Sequence, residues 1–112
     1  PYTPEVHHLI GGKELKMMKK DAILINTARG PLVDEKALAS ALKEMTIYGA
    51  GLDVYEHEPL IENELKSLYN VVLLPHIGSA TEETRSEMAK IVINDTVSVL
   101  RGQKPLNIVN GI

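Results

Sequence analysis

Ala22-Ile23-Leu24-Ile25-Asn26-Thr27-Ala28-Arg29-Gly30 is an apolar run that ends on a charged side chain, and the pattern recurs twice downstream. Residues 47–52 lead into Asp53-Val54-Tyr55-Glu56-His57-Glu58-Pro59, and Val71-Val72-Leu73-Leu74 leads into Pro75-His76-Ile77-Gly78-Ser79. Runs that are apolar throughout, rather than alternating, predict buried strands of a parallel sheet. Helical patterns separate the runs, and that alternation predicts an α/β fold with right-handed crossovers. Parallel neighbours would bring Arg29, Glu58 and His76 out at one carboxyl edge, where open α/β sheets bind ligands.

Working outward, residues 13–20 predict a short helix with Leu15 and Met18 at spacing three, and 22–27 the first strand. Asp34 has the position of an N-cap for a helix to about 45. Val33 and Leu38 are spaced as a hydrophobic staple, and Leu38, Ala41, Leu42 and Met45 form the inward stripe. A second strand over 47–54, a helical turn over 62–68 and a third strand over 71–74 follow. Ser79-Ala80-Thr81-Glu82 has capping-box spacing before a long helix to about 101. Met88, Ile91, Val92, Val99 and Leu100 form most of one face of that helix, and Gly102 and Pro105 end it. The prolines make 1–4 an irregular entry, and 106–112 reads as an extended tail. Three strands are few for a doubly wound sheet.

Bulk properties narrow the function classes. At 112 residues the chain is one domain of ordinary size. A net charge of −3 with no basic cluster argues against nucleic-acid binding. No apolar run approaches the roughly 20 residues of a membrane helix. The absence of cysteine excludes disulfides and thiolate metal sites and fits a reducing cytoplasm. The first residue is Pro1 rather than Met, which suggests a processed or excerpted chain.

The three edge residues suit one chemistry. An Arg fork can grip a carboxylate in two places. A His can pass a proton to or from a carbonyl oxygen, and a nearby carboxylate stabilises its protonated form. Together they are what reduction of a 2-oxo acid needs. Each has a plainer reading: Arg29 as a surface cation paired with Asp34, His76 as a structural ring, and Glu56 or Glu58 as part of a solvated acidic loop. Glu58 is the preferred partner of His76, with Glu56 its competitor. Gly49-Ala50-Gly51 resembles the start of a dinucleotide fingerprint, but it lies inside a strand and its third glycine position is Val54. His7, His8 and His57 have no trustworthy metal spacing, so no metal site is predicted.

These motifs resemble the NAD(P)-dependent D-2-hydroxyacid dehydrogenase family, and most closely its glyoxylate/hydroxypyruvate reductase and phosphoglycerate dehydrogenase branches. The resemblance runs through His8-Leu9-Ile10, Met18-Lys19-Lys20, Asn26 to Gly30, Val33-Asp34, Gly49 to Val54 and Pro75 to Thr81. It implies that Arg29 orients substrate, Glu58 tunes the histidine and His76 is the general acid/base. It also implies that Asp53 contacts the nicotinamide carboxamide, and that Thr27, Ala28, Gly78 and Ser79 line the nicotinamide end of NAD or NADP. Glu58 stands where a formate dehydrogenase branch carries Gln, which favours 2-oxo acid reduction. By the same resemblance, residues 1–112 are a single partial NAD(P)-binding domain. They match the second half of a Rossmann-type doubly wound parallel sheet, without the Gly-rich fingerprint or the substrate domain. The first strand would then be an apolar sheet edge open to pairing with another chain, so self-association is expected. Two other readings stand beside the enzyme: an isolated structural piece without activity, and a dinucleotide-sensing regulator similar to the family's corepressor members.

Overall fold

The computed structural model describes residues 2–109. They divide into two compact units, one up to Gly78 and the other from Ser79. Position 1 of the predicted entry and positions 110–112 of the predicted tail lie outside the described residues.

The first unit is built on three parallel strands, β1 (Ile23–Asn26), β2 (Gly49–Leu52) and β3 (Val71–Leu73), side by side in that order. Ile25, Gly51 and Val72 share one row of the register, and Asn26, Leu52 and Leu73 share the next. Three helices accompany the sheet: α1 (Gly12–Met17), α2 (Glu35–Lys43) and α3 (Asn63–Lys66). The predicted entry holds a 3-10 turn at Pro4–Val6. Leu15 from α1, Leu38 and Leu42 from α2 and Leu65 from α3 are buried with Leu24, Ala50 and Leu52 in one core. The fold is therefore the predicted open, Rossmann-like parallel sheet with flanking helices.

Burial corrects the reading of the first strand. Leu24 and Asn26 are buried, whereas Ile23 and Ile25 stand 57% and 66% exposed and Val72 62% exposed. Side chains alternate across a strand, so this is burial on one face only. An apolar run shows which surface gains from burial, not whether both faces obtain it.

Asp34 does cap α2, its side chain accepting from Ala37 N at 2.9 Å, and Val33 and Leu38 of the staple are both in the core. Met45 does not join the inward stripe. The helix closes at Lys43, Met45 adopts φ +54°, and its side chain is exposed.

The second unit is α4 (Glu82–Leu100) with its flanking segments. Its cap is Thr81, which accepts from Thr84 N at 3.1 Å, rather than the predicted Ser79. Gly102 at φ +71° follows the C-terminus in the left-handed conformation that glycine adopts without penalty. Asp95 accepts from the backbone of Leu106 and Asn107, which fixes the start of the tail against α4. Met88, Ile91, Val92, Val99 and Leu100 are all exposed. Among the described residues no helix is long and apolar enough to cross a membrane.

Candidate functional site

Because the strands are parallel, the three segments that leave them start at one edge of the sheet. After β1, the Asn26 side chain folds back on its own loop. Its Nδ2 donates to the Arg29 carbonyl at 3.0 Å and its Oδ1 accepts from Ala28 N at 3.1 Å. This Asx-type turn exposes Thr27, Ala28 and Arg29. The Arg29 guanidinium donates to the Ala28 carbonyl at 2.6 Å. It does not pair with Asp34, whose carboxylate is spent on the α2 cap and on His8.

After β2, the chain turns at Tyr55 and carries Glu58 back toward the sheet edge. Glu58 Oε1 accepts from Tyr55 N at 3.0 Å, and Oε2 lies 2.7 Å from His76 Nδ1. A carboxylate can only accept, so Nδ1 carries the proton and Nε2 is left to exchange one with a ligand. The bond to His76, with the Tyr55 N–H, holds the Glu58 carboxyl below the usual carboxylate range. Both side chains stay open to solvent, at 36% and 50% exposure.

After β3, His76 adopts φ +55°, a left-handed conformation that costs a non-glycine residue about 1–3 kcal/mol and persists only where its surroundings enforce it. Two side chains at the end of β2 enforce it. Asp53 accepts from Ile77 N at 2.8 Å and from Gly78 N at 2.6 Å, and the Tyr55 hydroxyl donates to the Leu74 carbonyl at 2.7 Å. Asp53 is 3% exposed, so in this structure its carboxylate holds the turn beneath His76. A Cβ on Gly78 would sit 3.0 Å from Asp53 Oδ2, so the missing side chain lets the turn close over the carboxylate. Ser79 opens the second unit and is exposed.

Glu56, the competitor of Glu58, has a different partner: it bonds to His8 Nε2, while His8 Nδ1 lies 3.8 Å from Asp34. His7 stacks on His8 with ring centroids 3.9 Å apart. One ligand atom each from His7, His8 and Glu56 falls within 4.8 Å of the others, a grouping that the sequence reading, which tried His57, did not find. Stacked rings keep their nitrogens in near-parallel planes rather than aimed at one point, so this arrangement ties the entry segment to the Glu56 loop. Asn26 and Glu35 also escaped the sequence reading. Glu35 is 5% exposed and accepts from the backbone N–H groups of Glu56 and Glu62.

The chemistry available at the edge is a cation able to grip an anion, a histidine with one free nitrogen and a carboxylate that orients it. Comparison with known proteins gives the family. The structure superimposes with a TM-score of 0.90 on the crystal structure of an NADPH-dependent glyoxylate/hydroxypyruvate reductase from Sinorhizobium meliloti in complex with NADP and malonate. That match is 38% identical and covers 98% of this chain and 34% of the reductase. A D-lactate dehydrogenase with NAD+ from Lactobacillus jensenii matches with a TM-score of 0.86 and 32% identity, over 98% of this chain and 37% of that one. A protein named as a 2-hydroxyacid dehydrogenase in Staphylococcus aureus (strain USA300) is 57% identical over 109 residues, 97% of this chain. The chain spans about a third (34%) of the length of that relative. Residues 1–78 match the family described as D-isomer specific 2-hydroxyacid dehydrogenase, NAD binding domain, and the chain belongs to that family.

Proposed function

We propose that this chain supplies the catalytic edge of an oxidoreductase that moves a hydride between NAD(P)(H) and a small 2-oxo acid or D-2-hydroxy acid. The observation that carries the reading is the 2.7 Å contact between Glu58 and His76 at the sheet edge that also presents Arg29. Bound nicotinamide would supply or accept the hydride. Thr27 and Ala28 after β1 and the Gly78 turn after β3 are exposed on either side of the β2 end, where the nicotinamide end would lie. Arg29, His76 and Gly78 complete that side, with Ser79 next in the sequence, and Asp53 would support it from beneath through the turn it holds. NAD and NADP both remain candidates, since one structural relative holds each.

Arg29 grips the substrate carboxylate through two parallel hydrogen bonds and turns its carbonyl toward His76. His76 gives a proton to the carbonyl oxygen from Nε2 as the carbon is reduced, and takes it back in the reverse direction. Glu58 holds the ring through Nδ1 and offsets the charge of the imidazolium. Residues 1–112 would form one partial NAD(P)-binding domain in this reading, working in the cytoplasm on a small-molecule substrate.

The test is turnover of glyoxylate and hydroxypyruvate with NADH, alongside NADH binding by fluorescence. In an enzyme that carries these residues within its full length, His76→Ala should abolish turnover while cofactor binding stays largely intact. Turnover that survives the substitution sinks the assignment of the acid/base.

The exposed Ile23, Ile25 and Val72 favour a second reading for the chain by itself. They leave one sheet face apolar and open, and among the described residues β1 pairs on one side only, so the isolated chain would self-associate and lack activity of its own. A clean monomer at high concentration by light scattering argues against this, as does saturable NADH binding with turnover.

A further inference from the structure

Among the described residues the structure buries three polar or charged side chains, Asn26, Glu35 and Asp53, at 6%, 5% and 3% exposure. Burying such groups is costly unless they are hydrogen-bonded, so each needs a compensating set of partners. In all three cases the partners are backbone groups of a segment that leaves the carboxyl edge. Asn26 binds the backbone of Ala28 and Arg29, and Asp53 binds that of Ile77 and Gly78, immediately after His76. Glu35 binds Glu56 N at 2.6 Å and Glu62 N at 3.3 Å, which brackets the loop that carries Glu58.

We infer that Glu35 is a positioning residue for Glu58: from the first turn of α2 it fixes both ends of the 56–62 loop and so sets where the carboxylate meets His76. The inference rests on the functional reading above and adds to it a residue that touches neither substrate nor cofactor.

Three features separate this role from simple helix stabilisation. Glu35 is at N1 of α2, but its oxygens point away from the helix and onto a loop more than 20 residues further along the chain. Among the described residues it forms no ion pair, so its bonding capacity goes to that loop. Among the described residues the Glu58 side chain is exposed and bonds only to Tyr55 N and His76, so that end adds little to holding the loop. A carboxylate that accepts from two backbone N–H groups is a strong and geometrically specific anchor.

The experiment follows the Glu58 side-chain carboxyl by NMR during a pH titration of the 112-residue chain. His76, Asp53 and the Tyr55 N–H are the groups that act on it. His76→Ala defines the midpoint of Glu58 without its partner. Glu35→Ala should move the Glu58 midpoint upward by most of the difference between the parent and His76→Ala. Glu35→Gln keeps one acceptor of the two and should move it part of the way. It carries the test alone if the alanine variant does not fold. A residue that merely stabilised α2 would lower the melting temperature and leave the Glu58 midpoint in place. That outcome in either folded variant overturns the inference. If His76→Ala itself leaves Glu58 unmoved, the Glu58–His76 contact, and the functional reading with it, is what fails.

Discussion

Replacing Gly30 with alanine would put a methyl carbon 1.9 Å from both the carbonyl carbon and the oxygen of Tyr55, and 2.5 Å from Glu56 N. Ordinary contact begins at 3.4 Å, so the new atom is about 1.5 Å too close to a peptide group that cannot rotate away. That peptide is also held by its own N–H, since Glu56 N donates to Glu35, and the peptide before it is held by Tyr55 N, which donates to Glu58. Relief must come from separating the Arg29 segment from the loop that carries Glu58. Overpacking of this kind costs about 1–3 kcal/mol. The restricted unfolded chain of an alanine variant returns about 0.4–1 kcal/mol. The clash wins, with a net loss of about 1–2 kcal/mol.

Urea unfolding of the parent and Gly30→Ala chains measures this difference, and in a chain of this size it corresponds to a fall in melting temperature of about 4–16 °C. Chemistry should suffer more than stability, because displacing a catalytic group by about 1 Å can cost about 100-fold in rate. A variant with unchanged stability would refute the reasoning, for it would show that the backbones of Gly30 and Tyr55 do not approach this closely.

Glu58 titrates below the usual carboxylate range in the folded chain, so its contribution to stability is present above its ordinary unfolded value. That contribution is lost as pH falls from the mid-4 region through the depressed folded value, and Glu58→Gln should flatten this part of a stability–pH curve. Tyr55 has the opposite sense: burial, with the nearby carboxylates, raises its phenol above the ordinary value of 10.0. Stability should therefore decline as pH rises from about 10 through the raised folded value, and Tyr55→Phe should abolish this decline in alkaline denaturation curves. The same substitution leaves the Leu74 carbonyl without its donor at a cost of about 1–3 kcal/mol, measurable in urea at neutral pH. Arg29→Lys keeps the charge and loses the fork, so KM for glyoxylate should rise with a smaller change in kcat, and an unchanged KM would remove Arg29 from the carboxylate grip.

The strand–helix order, the parallel sheet and the Asp34 cap were legible because each has a local signal in composition or spacing. Arg29, His76 and an acidic partner stood out as candidates because they are charged residues that follow apolar runs, while the choice of Glu58 over Glu56 leaned on the family resemblance. Other features depended on what sequence does not carry. Met45 continues the helical period of α2, but the backbone has already left the helix, and periodicity cannot see where hydrogen bonding stops. Ser79 and Thr81 are equally good cap residues by type, and only the backbone chose Thr81. Glu35 was hidden by its position, since an acidic residue in the first turn is common enough on helix-dipole grounds to attract no notice. Its role depends on a loop that approaches it only in three dimensions.

That hidden layer explains how an exposed pair can be placed with the accuracy that proton transfer demands. Ion pairs open to water contribute little to stability, so the attraction between Glu58 and His76 cannot by itself fix two loops in register. The groups that can do so are dry: Asn26, Glu35 and Asp53 have few alternatives to the backbone N–H and C=O groups they bind, because leaving them unpaired in the interior would cost far more than the bonds cost to form. The Gly30 contact adds a steric stop between the Arg29 and Glu58 segments. The left-handed backbone at His76 is then held from beneath by Asp53 rather than by anything at the reactive face. The division leaves His76 and Arg29 exposed, where the substrate of the proposed reaction would reach them, while the segments that carry them are held by side chains buried beneath.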